Sequence, residues 1–133
     1  MWSAGFQLGS HGLTGPTVQR LGVLDGSVEA TIGLLEGVVF SLDYVRFFDS
    51  NLKQIKFIKN NFYNQLRSKI LLYTGGGIHI NGGLAIRLPM GVTYCMLKDP
   101  VQFYGGLNVK FGPLVAEAPG VDLGVQFGLR ILL

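Results

Sequence analysis

Apolar and polar residues alternate along much of this chain with a period of two. From Leu84 to Met96, one face reads Leu84, Ile86, Leu88, Met90, Val92, Tyr94 and Met96, and the other Ala85, Arg87, Pro89, Gly91, Thr93 and Cys95. The last segment splits the same way, with Val121, Leu123, Val125, Phe127, Leu129 and Ile131 against Asp122, Gly124, Gln126, Gly128 and Arg130. Between them, Val101, Phe103, Leu107, Val109 and Phe111 oppose Gln102, Tyr104, Asn108 and Lys110. Alternation this long is the signature of strands with two unlike faces. The N-terminal half repeats it in Trp2, Ala4, Phe6 and Leu8, in Val28, Ala30, Ile32 and Leu34, and in Val38, Phe40, Leu42 and Tyr44, with Val39 out of phase.

Eight strands are predicted, over 2–9, 14–23, 26–35, 37–47, 70–80, 84–97, 101–111 and 120–132. Asp25-Gly26, Asn81-Gly82-Gly83 and Lys98-Asp99-Pro100 supply turn chemistry between them, and 113–120 forms a longer loop. Links this short join antiparallel neighbours, because a parallel crossover needs about a dozen residues or more. The exception is 48–69, where Ile55, Ile58, Phe62 and Leu66 recur at helical spacing among lysines and asparagines. A short amphipathic helix fits this segment, lying on a membrane surface or capping a barrel; a long solvated loop is the alternative.

Alternation does not reveal which face meets water. A soluble carrier barrel is apolar inside and charged outside, and a membrane barrel is the reverse. Here the polar faces hold mostly Gly, Ser, Thr, Gln and Asn, where a soluble exterior would carry many Lys and Glu. Hydrophobic residues make up 48% of the 133 residues and charged residues only 14%, so a water-facing shell would be thin. Small polar residues suit the narrow interior of eight strands, and strands of about 9–11 residues cross the hydrocarbon core when tilted. No apolar run approaches the ~18 residues of a membrane-spanning helix. Met1 to Gly5 lack the basic start of a signal peptide, so an exported chain would be a mature form.

The expected fold is therefore all-β: one domain over 1–133, a closed eight-stranded antiparallel up-and-down transmembrane barrel. Closure is required because each unpaired backbone group in lipid costs several kcal/mol. In this phasing Arg87, Lys110 and Arg130 point inward with Glu29, Asp43 and Asp122, three cations against three anions. Such groups are tolerable only when paired, which predicts a salt-bridged interior joined by His79, Tyr73, Tyr104 and Asn108.

Net charge is +3, of which 48–69 carries +4, leaving a nearly neutral body with no basic stripe for nucleic acid. Cys95 is alone, which rules out an internal disulfide and a cysteine-based metal site. No cofactor, metal site or catalytic group is expected. Ser41 and Asp43 share a strand face, but nothing in the sequence sets them beside His79.

The organisation resembles the small eight-stranded bacterial outer-membrane barrels, the class that includes the membrane domain of OmpA. Leu72-Tyr73-Thr74-Gly75-Gly76-Gly77 is similar to a YxGxGG strand opening, Arg87-Leu88-Pro89-Met90-Gly91-Val92-Thr93-Tyr94 to an RxPxGxxY strand, and Val125 to Arg130 to the terminal strand. Leu13 to Val18 and Leu42-Asp43-Tyr44 fit more loosely, and the chain ends Leu132-Leu133 where such barrels usually end in an aromatic residue. The resemblance implies a location in the bacterial outer membrane, membrane lipids as surroundings, and insertion by the outer-membrane assembly machinery. It further implies a non-enzymatic structural or envelope-interaction role, with 48–69 on the periplasmic side as a docking helix or protein-partner contact. A soluble ligand carrier, a lipid-modifying barrel enzyme and a narrow pore are the alternatives.

Overall fold

The computed structural model describes residues 2–10, 13–23, 26–34, 37–49, 52, 70–80, 83–96, 101–112 and 120–132. Eight strands run in chain order: β1 (Trp2–Gly9), β2 (Gly15–Val23), β3 (Gly26–Gly33), β4 (Val39–Phe48), β5 (Ile70–Ile80), β6 (Leu84–Cys95), β7 (Val101–Gly112) and β8 (Gly120–Leu132). Each pairs antiparallel with the next, and β8 returns to β1, so the sheet closes into an up-and-down barrel with no free edge. The predicted strands all form. β3 stops at Gly33 and β6 at Cys95, two residues short in each case, and β4 shifts to begin at Val39 and end at Phe48. The helix expected in 48–69 falls almost wholly outside the described residues.

The apolar face of every strand points outward. Phe6, Leu88, Val125, Phe127 and Ile131 are exposed on the outer wall, while Ser3, Gln7, Thr17, Gln19, Thr31, Gln102 and Gln126 are buried within. Leu88, Val125 and Phe127 would fill the centre of a soluble carrier; here they are 38%, 49% and 54% exposed.

The interior is not polar throughout, as the alternation had implied. At the end carrying both chain termini, Leu21, Val45, Phe47, Leu71, Cys95 and Leu132 pack with Tyr73 and Tyr104 into an apolar cluster. A narrow barrel is filled by side chains whatever their polarity, and this apolar layer needs no partners for its atoms.

The strands are staggered around the wall. Stepping across the ladder from Ser3 leads through Gln19, Glu29, Asp43, Gly77, Arg87 and Lys110 to Asp122. The β8–β1 register, in which Ser3 opposes Leu132, would return that path to β1 at position 13, ten residues beyond its start. A closed barrel with such a stagger has steeply tilted strands, typically by about 35–45°. Inward-facing residues that are neighbours across the ladder can therefore lie at different heights.

Candidate functional site: the ion-paired interior

Two arginine–carboxylate pairs cross the middle of the barrel. Arg130 on β8 reaches Glu29 on β3, with Nη2 at 3.2 Å from Oε2 and Nη1 at 3.4 Å from Oε1. The same Nη2 donates to the Thr17 hydroxyl at 3.0 Å, and the guanidinium lies 4.1 Å from the centre of the Tyr104 ring. Glu29 also accepts from Gln19 Nε2 at 2.7 Å, and Gln19 accepts from the Ser3 hydroxyl. Arg87 on β6 faces Asp43 on β4, Nε to Oδ2 at 3.3 Å. Its Nη2 donates to Gln126, whose amide donates in turn to the Tyr73 hydroxyl at 3.0 Å. Tyr104 donates to Gln7 at 2.8 Å, and Gln7 donates to the Leu13 carbonyl, tying the β1–β2 link to the interior.

Neither arginine is adjacent to its carboxylate in the ladder, and glycine makes both reaches available. Gly77 stands between Asp43 and Arg87 in register. A Cβ at 77 would collide with the Asp43 carboxylate and the Leu42 carbonyl. Gly5 stands between Arg130 and Thr17, and a Cβ there would strike the β8 backbone at Leu129 and Arg130. The tyrosines use the same device. Tyr73 lies over its register partner Gly91 and Tyr104 over Gly128, each hydroxyl within contact distance of where a Cβ would be. The glycines of the inward face thus set where large polar side chains can lie flat across the lumen.

Of the residues predicted for this network, Glu29, Asp43, Arg87 and Arg130 meet in the two pairs, all of them buried. His79 is buried directly across the ladder from Ser41. Lys110 and Asp122 oppose one another on β7 and β8, but the stagger carries them towards the rim away from the termini. Asp122 is exposed and Lys110 half-buried there, above the level of the arginine–carboxylate pairs. The height of Asp122 follows from a register that alternation does not contain. Nearer that rim, Ser41 Oγ, Arg87 Nη1 and the Asn108 amide have no hydrogen-bond partner among the described residues. The Arg130 layer is the more completely knitted of the two.

Sequence reasoning missed the glutamines. Gln19 and Gln126 bridge charged groups to hydroxyls, and Gln7 bridges the Tyr104 hydroxyl to the Leu13 carbonyl, each donating and accepting at once. Their signal was their place on the inward face, where an uncharged amide satisfies neighbours of either kind.

Ser41, His79 and Asp43 come closer together than the sequence alone indicated. Ser41 and His79 face each other across β4 and β5, and Asp43 is two residues along the same face as Ser41. All three are sealed in the lumen, and Asp43 is engaged by Arg87. Among the described residues no cluster of three or more potential metal ligands forms.

The outer wall carries its own chemistry. Of the charged residues in the described strands, only Arg20 and Arg46 lie on it, both at the end bearing the termini. Arg20 sits 5.4 Å from the Trp2 ring centre. Arg46 sits 5.7 Å from that of Tyr44 and donates from Nε to the Tyr44 hydroxyl at 3.4 Å. No family model, curated protein or solved structure matches the chain.

Proposed function

We propose that this chain spans a lipid bilayer as a closed, ion-paired barrel with a structural or envelope-interaction role and no enzymatic activity. One observation carries the reading: an apolar outer wall, charged in the described strands only at Arg20 and Arg46, around a lumen that hides two arginine–carboxylate pairs. A protein dissolved in water seldom exposes a contiguous apolar patch beyond a few hundred Å². A bilayer makes the same wall favourable, and transmembrane barrels present an apolar band about 25 Å tall. Closure supports the same conclusion, since it leaves no backbone edge to lipid.

The resemblance to small outer-membrane barrels supports a location in the bacterial outer membrane, with insertion by the assembly machinery of that membrane. The 49–69 link leaves β4 and enters β5 at the end bearing the termini. A protein partner of this basic segment would then be met on the periplasmic side. The apolar cluster across that end and the crossed ion pairs above it favour a closed lumen over a conducting one.

Refolding from urea tests the membrane reading. Native β-structure should form when detergent micelles or liposomes are supplied, and folded protein should migrate differently from boiled protein on a semi-native gel. A folded monomer in detergent-free buffer would defeat it.

A further inference from the structure

The wall next to Arg46 is grooved. On the outer surface of β5 to β7, a depression of about 560 Å³ is lined by Phe48, Leu52, Leu72, Thr74, Met90 and Val92, among others. Thr74 is the hydroxyl-bearing member of its strand's outward row, between Leu72 and Gly76. Its register partner on β4 is Arg46. A cation therefore stands beside an apolar channel, next to a hydroxyl, on a wall whose only other charge in the described strands is Arg20. Arg46 is exposed on the outer face, and no carboxylate of those strands shares that face.

We infer that this groove is a binding site for an anionic phospholipid, with an acyl chain in the channel and the headgroup phosphate held by Arg46 and Thr74. The inference rests on the bilayer reading above. Neutral hydrocarbon alone would fill the channel without discrimination. The arginine, which forks two donors towards a phosphate, gives the site its preference for charge. The Tyr44 ring beneath the guanidinium and its hydroxyl beside Nε fix where that fork can point. Arg20, stacked on Trp2 at the same end, adds positive potential to the same leaflet. The leaflet facing the chain termini is accordingly the one whose anionic lipid is retained.

Native mass spectrometry of protein extracted from mixed phosphatidylcholine–phosphatidylglycerol bilayers tests the site. The wild type should retain phosphatidylglycerol in preference to phosphatidylcholine, and millimolar inorganic phosphate should not displace it. R46Q should lower that retention about fivefold, the effect of one juxtamembrane cation, while R20Q changes it less. Thr74→Leu, which narrows the channel and leaves Arg46 in place, should also reduce bound lipid. Because Thr74 faces outward, this variant keeps the test open if R46Q folds poorly. Equal retention of the two lipids by the wild type, or unchanged retention in both R46Q and Thr74→Leu, would overturn the site while leaving the barrel in its bilayer. Failure of the wild type to enter either lipid would instead remove the bilayer reading, and this site with it.

Discussion

Replacing Arg130 by Met tests the interior ion pairing most sharply. Arg130 is 1% exposed and Glu29 8%. The change removes both contacts to the carboxylate, at 3.2 and 3.4 Å, the bond to Thr17 and the stacking on Tyr104. Glu29 keeps Gln19 as a donor but loses its opposing charge. Leaving one member of a buried pair uncompensated costs about 3–5 kcal/mol. The converse change, Glu29→Gln, strands a buried guanidinium and should cost a similar amount. The double variant strands neither charge. An apolar or neutral replacement of a whole buried pair is often close to neutral, so the double variant should recover about 2–3 kcal/mol relative to the sum of the singles. Arg130→Lys would retain a charge but lose the fork and the flat stack on Tyr104, and should fall between wild type and Arg130→Met. Urea unfolding in a fixed detergent, followed by Trp2 fluorescence and by gel mobility, supplies the free energies. Single variants that each cost less than about 1 kcal/mol, or that simply add, would refute the claim that these charges stabilise the barrel as a pair.

The glycines of β5 should divide by what stands over them. Gly77→Val would drive a side chain into the Asp43 carboxylate and the Leu42 carbonyl and should prevent folding or cost more than ~3 kcal/mol. Gly76→Ala meets nothing nearer than Leu88 Cδ2 at 3.7 Å and should shift stability by less than ~1 kcal/mol in the same urea titration. Asp122→Asn should change stability by no more than about 0.5 kcal/mol, because Asp122 is exposed at the rim; a loss of several kcal/mol would return it to the interior network. Cys95 is 2% exposed within the apolar cluster, so a maleimide should modify it only after unfolding. Rapid labelling of folded protein would show that this end of the lumen is open.

Strand positions and the inward phase were legible in the sequence because a two-residue period is local. Each strand from Leu84 onward, with its apolar row and small polar row, states its own faces. Val39 seemed to break the pattern of β4 because the lumen was expected to be polar; it is simply an inward-facing apolar residue, fully buried like Val45. The same expectation hid the inner stopper of Leu21, Phe47 and Leu71. Height along the barrel was not legible. Arg130 meets Glu29 and Arg87 meets Asp43 because of the register of several ladders and the stagger of the whole ring, quantities no single strand encodes. Asp122 shows the consequence: opposite Lys110 in the ladder, it sits exposed at the rim. The roles of Gly5 and Gly77 also needed the register, since a glycine clears a path only for the side chain laid across it.

The orientation of the wall is the claim on which the rest depends, and spin labels can read it directly. In a Cys95→Ser background, single cysteines at Leu88, Val125, Asn108 and Gln126 would carry nitroxides in protein reconstituted into liposomes. Labels at Leu88 and Val125 should collide strongly with oxygen, which concentrates in hydrocarbon, and weakly with a water-soluble nickel chelate. Labels at the buried Asn108 and Gln126 should collide little with either. Strong nickel collisions at Leu88 and Val125, with oxygen no more effective there than in water, would contradict the account.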